Sequence, residues 1–138
     1  MALYNLTPHE ITIYDSKGEK VIERIPSNGE LRLAARDGPA PPVSSVMTSS
    51  GNKVEVTPAQ DFTGLNTSSP GYKYLEGKLE PGDQIIVSMV VAEFMVKLKE
   101  YDQIMILCSG SSPKNGVRDG QGKIIGTKAL EYYAPKKV

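Results

Sequence analysis

Gln84-Ile85-Ile86-Val87 and Ile104-Met105-Ile106-Leu107-Cys108 are two short apolar runs, the first entered from the turn Pro81-Gly82-Asp83. Between them, Ser88–Lys99 carries Val91, Phe94, Met95 and Leu98 at the i, i+3, i+4, i+7 spacing of one helix face. The pattern predicts strand, helix, strand: a β-α-β unit with its helix over residues 88–99. The second run does not alternate with polar residues, so its strand is expected to be covered on both faces, with the helix on one of them. A crossover this short makes the two strands parallel, and ligands of such sheets bind beyond the carboxyl ends of the strands. The loop at that end is Ser109-Gly110-Ser111-Ser112-Pro113-Lys114-Asn115-Gly116, small, polar and rich in glycine. The site is expected there.

Outward from this unit the chain is a series of hairpins. Leu3–Leu6 suits a first strand, ended by Thr7-Pro8-His9 because Pro8 lacks a donor and restricts Thr7. Ile11, Ile13 and Val21, Ile25 flank Asp15-Ser16-Lys17-Gly18, a turn with glycine where positive φ is needed. After Pro26-Ser27-Asn28-Gly29, the stretch Glu30–Arg36 alternates Leu31, Leu33 and Ala35 with polar or small residues, a strand with one wet face. Asp37–Pro42 is a linker, and Val43–Met47 with Lys53–Thr57 make another hairpin around Thr48–Asn52. Pro58–Gly71 reads as a long polar loop anchored only by Phe62 and Leu65, and Tyr72–Leu75 as a brief strand. Val117-Arg118-Asp119 and Lys123-Ile124-Ile125 bracket the hairpin turn Gly120-Gln121-Gly122. Thr127–Tyr133 is expected to be extended and residues 134–138 to fray. The expectation is therefore α+β, a hairpin-rich, mainly antiparallel sheet with one helix, in a single domain over residues 1–138. A doubly wound α/β fold needs several helices, and the periodicity shows one.

Composition excludes several classes. The chain has 138 residues with zero formal charge, 39% hydrophobic and 23% charged, which speaks for one globular domain and against general nucleic-acid or membrane-surface binding. The lone Cys108 lies in an apolar run, so no intrachain disulfide forms. The opening Met1–Asn5 has no basic segment leading into an apolar one, and no apolar run reaches membrane length. A cytoplasmic location is expected, without a membrane partner.

The chemistry-bearing residues are few. His9 is the single histidine, and no two His or Cys have ligand spacing, which speaks against structural zinc. A carboxylate site for a hard ion stays open to this argument, but Asp61, Asp83, Asp102 and Asp119 are scattered and most are better explained by turns, so no metal site and no cofactor is expected. A Ser-His-Asp or Cys-His device would have to use His9, and Gly110-Ser111-Ser112-Pro113 is not the Gly-x-Ser-x-Gly of a nucleophile elbow. The loop suits phosphate better: Ser109, Gly110, Ser111, Ser112 and Asn115 offer hydroxyl, amide and backbone donors, and Lys114 with Arg118 add positive charge. It is not a Walker loop. A solvated connection between two strands explains the same residues, as solubility explains Arg24, Arg32 and Arg36. Tyr72 or Tyr74 could stack on a base, as could Tyr132 and Tyr133, although tyrosines at strand ends are commonly packing residues.

Leu3-Tyr4-Asn5-Leu6-Thr7-Pro8-His9-Glu10-Ile11 resembles the "NLTPH" opening of small proteins encoded by tailed bacteriophages and prophages. Their later part is also similar to this chain: an Ile-Val-Ser strand entering a small-residue helix, a strand ending in a Pro/Ser-Gly loop, then Val117-Arg118-Asp119 to Gly122-Lys123-Ile124-Ile125-Gly126. The resemblance covers about half the chain, the two ends and the central unit, and not residues 37–79. It implies phage origin. Some small phage proteins of this size are anti-defence sponges that sequester nucleotide immune signals, such as the cyclic ADP-ribose isomers made in Thoeris systems. What the resemblance implies, then, is a non-enzymatic binder of a nucleotide-derived small molecule, a cyclic nucleotide or cyclic ADP-ribose type, acting as a homo-oligomer in the host cytoplasm. Its pocket would use the Ser109–Gly116 loop, Arg118 and Tyr72 or Tyr74, closed by a neighbouring subunit or by the Pro58–Gly71 loop. The alternatives are a phosphodiesterase of the same signal, with His9 or a carboxylate as base, and a structural or assembly protein of the phage particle.

Overall fold

Ile106, Leu107 and Cys108, the inner part of the run at 104–108, lie in the third strand of a four-stranded sheet, Met105–Ser109, and are buried on both sides, whereas Met105 is exposed. The structure, a computed structural model, describes residues 2–35, 43–56, 62–110 and 113–133. Its elements are β1 (Leu3–Asn5), β2 (Ile11–Tyr14), β3 (Val21–Ile25), β4 (Leu33–Ala35), β5 (Ser44–Met47), β6 (Lys53–Val56), β7 (Phe62–Leu65), β8 (Gln84–Ile86), α1 (Met89–Met95), β9 (Met105–Ser109), β10 (Gly116–Arg118), β11 (Ile124–Thr127) and β12 (Leu130–Tyr133). The central sheet has the order β1-β8-β9-β12, with β1, β8 and β9 parallel and β12 antiparallel to β9. The parallel crossover from β8 through α1 to β9 is the one the periodicity predicts. Five of the eight strand pairings are antiparallel hairpin or ladder contacts and only one α-helix is present among the described residues, so the fold is α+β.

Each face of the central sheet has its own cover. Ile85, Val87, Ile106 and Cys108 pack with Val91, Ala92, Met95 and Val96 of the helix segment and with Leu6 and Leu31. On the opposite face Ile86 and Leu107 meet Ile11, with Ile13, Ile25 and Leu130 around them. That second layer is the sheet β10-β11-β2-β3. Asp83 ties the entries of β1 and β8 together: its carboxylate accepts from the Ala2 N–H at 2.9 Å and from the Glu80 N–H at 2.9 Å.

Three expectations need correction. The helix ends at Met95, not near residue 99: Leu98 is extended (φ −96°, ψ 120°) and a 3-10 turn at Lys99–Tyr101 returns the chain to β9. Its buried face is consequently Val91, Ala92, Met95 and Val96, while Phe94 and Leu98 are half-buried. Tyr72–Leu75 is not a strand. Pro70–Tyr74 is a 3-10 helix, with Pro70 at its start, where a missing N–H costs nothing. Within Pro58–Gly71 lies β7, paired antiparallel with β4 in the register Leu33↔Leu65. A partner some thirty residues away leaves no periodic mark in Phe62-Thr63-Gly64-Leu65, so the stretch reads locally as loop.

Candidate functional site

Because β1, β8 and β9 run parallel, the segments that leave them emerge at one end of the sheet: Thr7-Pro8-His9 after β1, Val87-Ser88-Met89 after β8, and Gly110 after β9. These segments line a cleft of about 420 Å³, whose far wall is Ile124–Thr127 of β11 with Ile11 and Thr12 of β2. Two observations explain why the walls stand where they do.

The first is the side chain of Asn5, fully buried at the end of β1. Its amide nitrogen donates to the carbonyls of His9 and Ile25, each at 3.0 Å, and its oxygen accepts from the Thr7 N–H at 3.1 Å and the Thr7 hydroxyl at 2.6 Å. The Thr7–His9 bend is thereby pinned to β1 on one side and to β3 on the other. Ser27 adds a bond from its hydroxyl to the Thr7 carbonyl at 2.5 Å. The asparagine, threonine and histidine of the opening motif are thus a hydrogen-bonded unit that shapes one rim of the cleft.

The second is close backbone approach at two glycines. A Cβ on Gly110 would stand 2.7 Å from the Ala129 carbonyl oxygen and 3.0 Å from the Thr127 hydroxyl, and one on Gly126 would stand 2.6 Å from the Thr12 carbonyl oxygen. Gly110 therefore lets the exit of β9 lie against the β11–β12 connection, and Gly126 lets β11 lie against β2. The buried Thr127 hydroxyl locks the same corner by donating to the Ala129 carbonyl at 2.7 Å.

Of the residues singled out in the sequence, Ser109 and Gly110 line the cleft, and so does His9. Ser111 and Ser112 lie outside the described residues. Lys114, Asn115 and Arg118 are not part of the lining. Lys114 is exposed, the Asn115 amide donates to the Glu131 carboxylate at 2.9 Å, and the Arg118 guanidinium donates to the Gly122 carbonyl at 2.7 Å within its own hairpin. Tyr72 and Tyr74 sit on the 3-10 helix and pack against the helix-side core. The Tyr74 ring lies 4.8 Å from that of Tyr4, with the Lys73 ammonium 5.3 Å away. The structure does not bring these tyrosines to the loop after β9. Nor does the described part of Pro58–Gly71 cover the cleft: it is held by β4 and by the Gly71 N–H on the Glu30 carbonyl at 2.9 Å.

The residues that sequence reasoning passed over are Thr7, Ser88, Met89 and the Ile124–Thr127 strand. Ser88 and Met89 could have been found from the rule that placed the site, since they follow the first parallel strand. The β11 wall carries no such signal, because its approach depends on Gly126.

No family model, curated protein or solved structure matches this chain.

Among the described lining residues the ionisable groups are His9, Glu10 and Cys108, and Glu10 pairs with Arg24 at 3.6 Å. Burial, with Glu131 and Glu93 nearby, pushes the Cys108 thiol up to about 11, so at neutral pH it is a protonated core group and not a nucleophile. Among the described residues no three His, Cys, Asp or Glu side chains converge in a way that could hold a metal ion. Ser88 and Ser109 share the lining with apolar Val87, Met89, Ile124 and Ile125, while the hydroxyl of Thr7, also in the lining, is committed to Asn5. An apolar lining with a few polar groups is of the kind that holds a small molecule.

Proposed function

We propose that this chain is a phage-encoded binding protein that sequesters a nucleotide-derived immune signal, of cyclic ADP-ribose or cyclic-nucleotide type, in the host cytoplasm and as a homo-oligomer. The observation that carries the proposal is the cleft at the carboxyl ends of β1, β8 and β9, where Thr7-Pro8-His9 and Ser109-Gly110 share one lining. Its volume of about 420 Å³ suits a small molecule. Apolar floor and hydroxyl rim together would hold a base and ribose, and sequestration asks for no acid, base or metal. With Lys114 and Arg118 outside the lining, the ligand's phosphates would face the open side of the cleft. Holding a signal at nanomolar strength takes about 12 kcal/mol, which favours closure of that side by a second subunit.

The decisive experiment is calorimetry with a panel of cyclic nucleotides and ADP-ribose derivatives. Saturable heat with at least one member is expected, and none across the panel sinks the proposal. Ile125→Glu, which sets a carboxylate in the far wall, should weaken binding at least about tenfold with the fold intact, whereas Arg118→Ala should leave affinity nearly unchanged. Equal effects of the two variants would move the site away from the cleft. One alternative has an observation in its favour: His9 lines the cleft, which is where a phosphodiesterase would need its base. Ligand recovered intact after denaturing the complex supports sequestration, and fragments lost on His9→Ala support hydrolysis.

A further inference from the structure

The hairpin of β5 and β6 pairs with no other strand among the described residues, and of its eight strand residues only Val56 is less than exposed. Its register, Ser44↔Val56 and Val46↔Val54, puts Ser44, Val46, Val54 and Val56 on one face and Ser45, Met47, Lys53 and Glu55 on the other. Val46 and Val54 are 54% and 46% exposed. A lone two-stranded hairpin is marginal in water, and a free edge beside an apolar face is a template for another strand.

The hydrogen-bond phase of the hairpin says which groups that edge offers. The Thr48 N–H donates to the Asn52 carbonyl at 2.8 Å, and the Val43 N–H donates to the Val56 carbonyl at 2.9 Å. Residues 52, 54 and 56 therefore turn their backbone groups toward β5. By alternation, Lys53 and Glu55 turn their N–H and C=O groups toward the free edge of β6. The edge reads Lys-Val-Glu, and that is self-complementary.

We propose that β6 pairs antiparallel with β6 of a second copy of this chain, about a two-fold axis at Val54. Lys53 then lies opposite the partner's Glu55, and the reverse pair follows by symmetry. Both are outward-facing residues, so each pair exchanges its two backbone hydrogen bonds, while the two Val54 side chains meet on the apolar face. Sliding the register by two residues sets lysine against lysine or glutamate against glutamate. Sliding it by one opposes an outward-facing residue to an inward-facing one. Charge and phase thus select the same alignment. The product is a four-stranded sheet, β5-β6-β6-β5, independent of what the cleft binds.

The test is sedimentation velocity of the full chain over a concentration series. The wild type should associate to a dimer. Lys53→Glu and Glu55→Lys each bring two like-charged pairs face to face and should raise the dimer Kd at least about tenfold, and the double reversal K53E/E55K should return it to near the wild-type value. Circular dichroism of each variant checks that the exposed substitutions leave the fold intact. Val54→Cys should give a disulfide-linked dimer under mild oxidation, since directly opposed residues of a non-hydrogen-bonded pair lie about 4.5 Å apart at Cα. Met47→Cys, on the far strand, should not. A monomeric wild type, a double reversal as weak as the single ones, or no cross-link at Val54 overturns the proposal.

Discussion

β9 and β5 are both short strands, yet opposite forces hold them. β9 is flanked by β8 and β12, contributed by other parts of the chain, and Ile106, Leu107 and Cys108 are buried beneath a helix on one face and a second sheet on the other. Among the described residues β5 has a single neighbour, β6, joined to it by a turn in which Asn52 N–H donates to the Thr48 hydroxyl at 3.1 Å and Gly51 takes φ of +89°. Every residue of β5 is exposed. A strand can thus be specified by burial with remote partners or by turn chemistry alone. The first kind carries the stability and places the cleft. The second leaves an edge with no strand partner among the described residues, which is why the proposed subunit contact falls on the hairpin and the proposed ligand site on the central sheet.

Substitutions at the two places should separate them. The largest effect is expected at Asn5, which sits where the central sheet meets the cleft. Asn5→Leu leaves the Ile25 carbonyl and the Thr7 N–H without their partner beside a fully buried side chain, and leaves the His9 carbonyl only the Thr7 hydroxyl at 3.0 Å; it should cost about 4 kcal/mol in a denaturant titration. A loss within about 1 kcal/mol would mean that the bend holds itself and that the motif serves something other than structure. Ile106→Ala removes a fully buried side chain between two layers and should cost about 3 kcal/mol by the same measurement. Val46→Ala in the hairpin, half exposed in the single chain, should change monomer stability by no more than about 0.5 kcal/mol. Comparable losses at Ile106 and Val46 would erase the distinction between the two strands.

A smaller effect is expected in the pH dependence. The N–H groups of Ala2 and Glu80 hold the Asp83 carboxyl below the ordinary aspartate range. A depressed native pKa means that the unfolded chain binds the proton more readily, so this stabilisation is present above the unfolded pKa and is lost as pH falls through the native one. Thermal unfolding followed from neutral pH into the acid range should show the wild type losing stability below the ordinary aspartate pKa, and Asp83→Asn should flatten that limb. An unchanged acid limb in the variant would detach Asp83 from the link between β1 and β8.

The same contrast explains which parts of the fold are legible in the sequence. The hairpins around Gly18, Gly51 and Gly122 were readable because their turns demand positive φ, and these glycines have it, at +73°, +89° and +82°. The apolar run at 104–108 announced burial on both faces, and the spacing of Val91 and Met95 announced a helix between parallel strands. The cleft was half legible: Ser109 and Gly110 came from the rule that parallel sheets bind ligands at their carboxyl ends, but Lys114, Arg118, Tyr72 and Tyr74 belong to other surroundings. Sequence adjacency to the loop said nothing about where those side chains point.

The chain by itself determined its hairpin turns, the helix between the two parallel strands and which run would be most deeply covered, because each of these follows from the preferences of neighbouring residues and from apolar periodicity. Only the tertiary structure decided that β1 lies beside β8, that β7 finds β4, and that the Thr7–His9 bend faces Ser109 and Ile125. A backbone ladder is chemically the same whatever strand supplies the other half. Such partners are chosen by how the buried surfaces of the whole chain fit together, and no local pattern records that choice.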